Sequence, residues 1–396
     1  MADGVLSGIR VLDFGRFIAG PWCAALLADL GAEVIRVEKV DGGEDRFVNR
    51  ISETDGSGVM FMQVNRNKKG LTLNPTKPEG QAIQRRLVES ADVVVANMPE
   101  RALKGLGLDY ESLAKIRADI VLVSNTCFGS VGPYGTKLGF DGLAQAMSGN
   151  MHLSGHPDEP MRSYAPWVDF GTAGLAAFGA LAALMERKQT GVGQEVQSAL
   201  LATALTVSSS LLIEQDVLQV NREATGNTGQ LSAPADVYAT TDGHIMCLVI
   251  GPPMFERWCR LLNTEEWLTD PRFKDDDARG LHAEVINEKM SAWCAERTTE
   301  QALRELEDGR VPAGPVYSPQ QALDDPHVQQ SGMLRPTDYP GLSKSAPLVN
   351  TPVKLSRTPG SIRTRAPLLG EHTDEILAGL GYSSSEIEAF REKRVV

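Results

Sequence analysis

Asp169 is the residue of this sequence whose type and surroundings best suit covalent chemistry. It follows Pro166, Trp167 and Val168 and comes just before an apolar segment that begins at Phe170. An aspartate there is a natural N-cap of the helix that the segment predicts. The position also suits a nucleophile, because a helix N-terminus keeps a carboxylate ionised while apolar surroundings limit its hydration. The local sequence leaves both interpretations open.

Two further segments could bind phosphate groups. Residues 15–21 (GRFIAGP) follow a predicted strand, where an α/β sheet offers backbone amides to a ligand, but they match neither the dinucleotide fingerprint nor the P-loop. Residues 65–70 (NRNKKG) form a basic turn before a predicted strand at residues 71–73. Glycine placement predicts a plain tight turn as readily as a ligand loop, and charge runs are usually solvated. Alone, neither segment identifies a ligand.

The histidines and cysteines predict neither a metal site nor a disulfide framework. His152 and His156 have helical i, i+4 spacing, but the Leu-Ser-Gly between them breaks helices and lacks the glutamate of the metalloprotease motif. The five cysteines are widely spaced without a CxxC pair. We therefore expect reduced, mostly buried thiols and no metal.

The elements that would position these residues alternate between strand and helix. The predicted elements are a strand at 9–14, a helix at 21–30, a strand at 33–38, a helix at 78–90, a strand at 92–97, a helix after Asp109, a strand at 120–125 and a buried helix at 171–185. This alternation predicts an α/β fold with a mostly parallel sheet covered on both faces. Residues 226–326 change to short strands and amphipathic helices, which predicts a smaller α+β domain.

Length and charge limit the partners. A chain of 396 residues is long enough for two domains, and its net charge of −12 disfavours nucleic acid. The first 140 residues carry 17 basic and 17 acidic side chains, so the N-terminal part can receive a small polyanion. The N-terminus lacks a basic or apolar leader, and we expect apolar stretches shorter than a membrane span and a cytoplasmic protein.

Several segments, in this order and spacing, resemble the class III CoA-transferase family, which includes formyl-CoA transferase and the carnitine CoA-transferases. They are residues 6–14 (LSGIRVLDF), 19–21 (AGP), 30–38 (LGAEVIRVE), 65–69 (NRNKK), 139–149 (GFDGLAQAMSG), Asp169 with 172–174 (TAG), 188–194 (KQTGVGQ) and 365–373 (RAPLLGEHT). The matches run nearly end to end.

The resemblance implies a Rossmann-like large domain built from residues 1–225 and 327–396, a smaller α+β domain at 226–326, and an interlocked homodimer. It implies Asp169 as the nucleophile, acting through a mixed anhydride and an aspartyl-CoA thioester. Coenzyme A would be bound as a substrate thioester, with phosphates near Arg16 and the basic turns and adenine near Asn97 and Met98. The CoA contacts that follow are Arg16, Ala19, Lys39, Arg46, Asn97, Met98, Lys104 and Lys137, and the substrate pocket is assigned to Ile18, Phe140 and Asp141.

Two rival functions remain open. The related α-methylacyl-CoA racemase branch has a proton-carrying histidine where this chain has Phe140, and a glutamate near the turn at residues 251–253, here Gly-Pro-Pro. A non-catalytic CoA-binding protein would use Asp169 only as an N-cap. Formyl-CoA transferases carry a glutamine where this chain has Ile18, so we expect formyl-CoA and oxalate to be poor substrates and the donor to be a larger acyl-CoA.

Overall fold

The computed structural model describes residues 4–396 of the chain. Its strands, in chain order, are β1 (Arg10–Asp13), β2 (Glu33–Glu38), β3 (Lys68–Thr72), β4 (Val93–Ala96), β5 (Val121–Thr126), β6 (Gly155–His156), β7 (Glu159–Pro160), β8 (Glu195–Ala199), β9 (Ala235–Ala239), β10 (His244–Leu248), β11 (Ala313–Pro315), β12 (Leu334–Thr337) and β13 (Ala346–Val349).

The helices surround these strands. They are α1 (Ala19–Asp29), α2 (Val59–Val64), α3 (Pro78–Ser90), α4 (Glu100–Leu106), α5 (Tyr110–Ile116), α6 (Asp141–Met147), α7 (Asn150–Leu153), α8 (Trp167–Thr190), α9 (Leu200–Val207), α10 (Ser209–Leu218), α11 (Pro252–Leu261), α12 (Asp276–Leu281), α13 (Ala283–Ala295), α14 (Thr299–Asp308), α15 (Pro319–Asp324), α16 (Pro326–Gln330), α17 (Thr373–Gly379) and α18 (Ser384–Glu392). Short 3-10 helices cover Glu44–Phe47, Glu265–Thr269 and Pro271–Phe273. Of the predicted elements, β2 and α3 have the predicted bounds.

A six-stranded parallel sheet organises the N-terminal part of the chain, which confirms the α/β prediction. Its strand order is β3-β2-β1-β4-β5-β8. The chain moves outward from β1 to β3 on one side and from β4 to β5 on the other. The strand order therefore reverses between β1 and β4, and in parallel sheets the carboxyl ends of such a pair form a ligand crevice.

Both faces of the sheet are buried, as a parallel sheet requires. Alternate strand residues divide between two apolar clusters, with Leu12 and Val94 on one face and Val11 and Val93 on the other. The first cluster includes residues of α3, α4, α5, α17 and α18, and the second includes residues of α1 and α8. The C-terminal helices thus complete a core that begins at the N-terminus.

Helix α8 begins earlier and ends later than the predicted 171–185. Alanines along one of its faces, from Ala173 to Ala183, belong to the core cluster that includes α1. In length and composition it could also cross a membrane, with 39% of its most apolar window buried, which corrects the expectation that every apolar stretch is too short. A core helix passes the same test, and these small buried residues give α8 that role.

The chain divides into two compact units. One comprises the described part of Met1–Gly149 together with Ser163–Ile213 and His327–Val396, and the other comprises Asn150–Arg162 and Glu214–Pro326. The second unit contains the three-stranded antiparallel sheet β11-β10-β9, whose core includes Trp258, Phe255 and Tyr238. The assignment of two domains with the predicted boundaries stays a prediction.

Candidate active site

The candidate site starts at the crevice between β1 and β4. The loop after β1 and the loop after β4 are joined there by Asn97, whose side-chain oxygen accepts from the Arg16 amide at 2.6 Å. The same side chain donates from Nδ2 to the Arg16 carbonyl at 2.7 Å. Because both polar backbone groups of Arg16 are satisfied by one amide, the loop is fixed at the carboxyl end of the sheet.

Buried charges hold the preceding residue. The Gly15 amide donates to Asp13 Oδ1 at 2.8 Å, and the Arg36 guanidinium donates to the Gly15 carbonyl. A Cβ atom on Gly15 would lie 2.8 Å from Asp13 Oδ1, so this close approach requires glycine. The next turn is strained, since Phe17 has a positive φ of 58° without being glycine. The anchored loop therefore determines where the Phe17 ring lies.

A cavity of about 240 Å³ opens beside this loop. It is lined by Arg16, Phe17, Ala19, Asn97, Met98, Pro99, Asn125, Thr126, Cys127, Gly135, Lys137, Leu138, Gly139, Phe140, Asp169 and Leu200. Seven residues of the predicted site are brought together here, from segments as far apart in sequence as Arg16 and Asp169. The rings of Phe17 and Phe140 meet edge to face, with centroids 5.9 Å apart.

Asp169 is not the N-cap of its helix, which corrects that interpretation of the sequence. Helix α8 begins at Trp167 and the preceding cap residue is Pro166, so Asp169 lies within the first turn. The capping acceptor is the buried Asp141, whose Oδ2 accepts from the amides of Val168 at 2.8 Å and Asp169 at 3.0 Å. Within residues 4–396, no donor is hydrogen-bonded to the half-buried Asp169 carboxylate. The capping role thus belongs to a different aspartate.

The surroundings of Asp169 disfavour its charge. Burial, and then the negative charge of Asp141, raise the pKa of Asp169 to about 7. The sequence predicted that the helix N-terminus would keep this carboxylate ionised, but the first free amides serve Asp141 instead. Burial, Asp169 and Asp141 also raise the pKa of the Cys127 thiol to about 11, so this cavity residue is a neutral thiol at physiological pH.

Lys39 does not line the cavity, but Glu44 links it to Arg16, which does. Its Nζ is 2.5 Å from Glu44 Oε1, and the other Glu44 oxygen is 3.4 Å from Arg16 Nη1. All three side chains are substantially exposed. The Glu44 carboxylate thus forms ion pairs with Lys39 and Arg16, two of the cations that were predicted to bind phosphates.

Arg46 and the basic turn have structural roles instead of the predicted phosphate contacts. Arg46 is fully buried, with hydrogen bonds to Glu38 and Asp55 and its guanidinium over the Phe61 ring. In the turn, Arg66 pairs with Asp29, and Lys68 pairs with Asp13 at 2.8 Å. Arg66 and Lys68 of segment 65–70 therefore form buried ion pairs, although the sequence was also consistent with a phosphate-binding site there.

Two further predicted residues lie apart from Asp169. Lys104 is exposed on α4, pairs with Glu100, and lines a separate groove of about 1010 Å³ that shares Met98 and Thr126 with the smaller cavity. Ile18 is only 6% exposed and is not among the residues that line the smaller cavity. Its neighbour Phe17 faces the cavity in its place.

Three cavity residues were not predicted from the sequence: Phe17, Cys127 and Leu200. Leu200 begins α9, and Cys127 follows β5. Apolar residues at such positions are usual in any protein core, so the sequence carries no signal that separates them from ordinary packing. The capping function of Asp141 was also missed, because its partners lie 27 and 28 positions away.

Known proteins similar to this chain include CoA-transferases. A family model described as CoA-transferase family III matches residues 6–373. A relative from Chloroflexus aurantiacus, named succinyl-CoA–D-citramalate CoA-transferase, is 34% identical, with 99% of this chain and 98% of the relative covered. Another from Agrobacterium fabrum, named succinate–glutarate CoA-transferase, is also 34% identical, with 95% of each chain covered.

Solved structures give the same result. One is the crystal structure of a CAIB/BAIF family protein from Brucella suis, which is 31% identical in sequence and has a TM-score of 0.84. The match covers 96% of this chain and 100% of the other. The chain belongs to CoA-transferase family III. It is therefore a CoA-transferase, an enzyme that uses CoA thioesters, and the rival racemase and non-catalytic functions are set aside.

Proposed function

We propose that this enzyme moves coenzyme A from succinyl-CoA to a second dicarboxylic acid, with Asp169 as the nucleophile. The observation that carries the proposal is a half-buried cavity carboxylate with a pKa raised to about 7 and, in the part of the chain described, no hydrogen-bond donor. A carboxylate whose charge is poorly stabilised is a stronger nucleophile. Succinyl-CoA and dicarboxylic acids are the substrates in the names of several relatives.

Every atom is accounted for in the proposed reaction, which neither takes up nor releases a proton. An oxygen of Asp169 attacks the thioester carbonyl, and the C–S bond breaks to give a mixed anhydride and CoA thiolate. The thiolate attacks the aspartyl carbonyl, which releases succinate and leaves an aspartyl-CoA thioester. The acceptor carboxylate then attacks this carbonyl to form a second anhydride and thiolate. Attack of that thiolate on the acceptor acyl carbon releases the new acyl-CoA and restores Asp169.

The cations around the cavity support a CoA site. Arg16 and Lys137 line it, and Lys39 approaches Arg16 through Glu44. A volume of about 240 Å³ is small for a whole cofactor, so we assign it to the acyl and thioester end. CoA phosphates would then lie outside, where Arg16 and Lys39 are exposed.

Water must be excluded, because the anhydride and the thioester both hydrolyse. The rings of Phe17 and Phe140 form an apolar wall on the cavity that contains Asp169. Phe140 is 65% exposed in the isolated chain, so a bound acyl-CoA would cover apolar surface that now contacts water. Formyl-CoA and oxalate, which are small, would cover less of it, in line with the expectation that they are poor substrates.

We also propose a cytoplasmic homodimer of two-domain chains with interlocked subunits. The outward face of α8 supports association, since it exposes Leu175, Phe178 and Met185 by 50%, 72% and 68%. Exposed apolar surface of this extent on one helix is typical of an interface. Sedimentation at micromolar concentration should give twice the chain mass of 42.8 kDa. An active monomer would contradict the interlocked arrangement.

Trapping of the covalent intermediate tests the mechanism. The enzyme is incubated with succinyl-CoA and then with hydroxylamine, which converts an aspartyl-CoA thioester into a hydroxamate and free CoA. Peptide mass spectrometry should find the hydroxamate at Asp169, and Asp169→Asn should give neither adduct nor transfer. Full turnover of succinyl-CoA with an unmodified Asp169 peptide would refute the nucleophile. A screen of carboxylic acids as acceptors then identifies the second substrate.

A further inference from the structure

The Asp141 carboxylate accepts hydrogen bonds from free amides at the start of α8, the helix that carries Asp169. The first amides of a helix have no partner within it and are available to a nearby anion. Here Asp141 Oδ2 accepts from the Val168 amide at 2.8 Å and from the Asp169 amide at 3.0 Å. The Asp169 carboxylate receives neither of these donors, although it belongs to the same first turn.

Asp141 is held as a charged group. It is 7% exposed, and its second oxygen accepts from the Gln145 side-chain amide. Gln145 is 1% exposed, and its own oxygen accepts from the Ser163 amide at 3.0 Å, which fixes the orientation of the amide. Both Asp141 oxygens therefore face donors, as an ionised carboxylate requires.

We propose that Asp141 is a positioning residue that keeps the Asp169 carboxylate poorly stabilised and therefore reactive. It does so in two ways: it takes the helix amides that would otherwise solvate Asp169, and it places a fixed negative charge beside it. This inference rests on the proposed role of Asp169 as the nucleophile. An aspartate that accepted those amides itself would be a stable anion and a weak nucleophile.

The other charged groups around Asp169 do not replace this effect. Cys127 is a neutral thiol, since burial and the two nearby carboxylates raise its pKa to about 11. Arg16 and Lys137 line the same cavity, but as cations they favour the ionised carboxylate. The increase in the pKa of Asp169 to about 7 comes from burial first and then from Asp141. Removal of the Asp141 charge should therefore lower the pKa of Asp169 again, by the part of the increase that Asp141 causes.

The substitution Asp141→Asn separates charge from capping. Asparagine keeps a side-chain oxygen for the two amides but carries no charge. Its Nδ2 then faces the Gln145 amide, and the loss of that hydrogen bond should lower the melting temperature without replacing the missing charge. The apparent pKa in the pH profile of kcat/KM for succinyl-CoA should move to lower pH, because this profile reports the free enzyme. The plateau value of kcat should fall about tenfold, because the nucleophile becomes less basic. Titration of CoA phosphates is common to both enzymes and cancels in the comparison.

A matched control is available in the second unit. Asp275 caps α12 by accepting from the Ala278 amide at 2.8 Å, and Asp275→Asn should leave the pH profile unchanged. An Asp141→Asn enzyme with an unmoved pH profile, whether or not its melting temperature falls, would overturn the inference and leave Asp141 a purely structural cap. If Asp141→Asn does not fold, Asp141→Ser gives a second test: its shorter hydroxyl removes both the charge and the acceptor, so the pH profile should again move to lower pH. Failure of the wild type to form the Asp169 adduct would instead refute the proposed function.

Discussion

The side chain of Asn97 binds both polar backbone groups of Arg16, accepting from its amide at 2.6 Å and donating to its carbonyl at 2.7 Å. This pair joins the loops after β1 and β4 at the point where the strand order reverses. It also determines which way the next residues face, and both Arg16 and Phe17 line the cavity that contains Asp169. A residue expected from sequence to contact adenine thus shapes the site through the backbone.

Substitution of Asn97 should affect catalysis more than folding. Asn97→Ala removes both hydrogen bonds, each worth about 1 kcal/mol, and should lower kcat/KM for acyl-CoA by about 10- to 100-fold as the loop loses its position. Asn97→Asp should lower kcat/KM further. Its carboxylate still accepts from the Arg16 amide, but it repels the Arg16 carbonyl and the anionic substrate. Equal activity of the aspartate and wild-type enzymes would show that the Asn97 donor is dispensable.

Asp169→Asn should stabilise the protein, and increasingly so as the pH rises. The folded pKa of about 7 lies above the ordinary 3.8, so the folded state retains a proton that the unfolded state loses between these values. Wild-type stability therefore falls across that interval and is constant above it. The upper bound is about 4 kcal/mol, which partial solvent access reduces.

Thermal unfolding from pH 4 to pH 8 checks this. The difference in melting temperature between Asp169→Asn and wild type should be small at pH 4 and largest above pH 7. The helix dipole favours aspartate by less than about 1 kcal/mol, which is too little to reverse the sign. A variant that is less stable than wild type at pH 8 would contradict the proposed environment of Asp169.

Glu44→Gln should tighten the binding of acyl-CoA. The carboxylate of Glu44 pairs with Lys39 and Arg16, so its removal frees two exposed cations for phosphate groups. KM for succinyl-CoA should fall several-fold at low salt, and the gain should shrink near 1 M salt through screening. Glu89→Gln, which breaks an exposed pair with Arg85, is the matched control. An unchanged KM in Glu44→Gln at low salt would show that Lys39 and Arg16 do not contact CoA.

Arg46→Met should reduce stability without a direct effect on substrate binding. The substitution leaves the buried Glu38 carboxylate without its partner, which costs about 3–5 kcal/mol. The melting temperature should fall clearly, while KM for acyl-CoA in the folded enzyme stays near the wild-type value. Lys104→Ala breaks only an exposed pair with Glu100 and should leave the melting temperature close to that of the wild type. An unchanged melting temperature with a raised KM in Arg46→Met would restore the predicted CoA contact.

Much of the fold follows from local sequence. The apolar strands and the helices between them have a periodicity that neighbouring residues determine, so β2 and α3 could be located without the structure. The Asp169 position could also be singled out, because a carboxylate before an apolar helix is visible in a few consecutive letters.

Only the tertiary structure decided the roles of individual charges. Arg46 and Asp141 have sequence contexts much like those of surface residues, yet Arg46 pairs with Glu38 inside the fold and Asp141 caps a helix 27 positions away. The energy of a charge depends on burial and on partners that the chain brings together from distant segments. The sequence by itself therefore determined the α/β framework and the candidate nucleophile. The packing of distant segments decided which amides and charges surround that nucleophile, and so its reactivity.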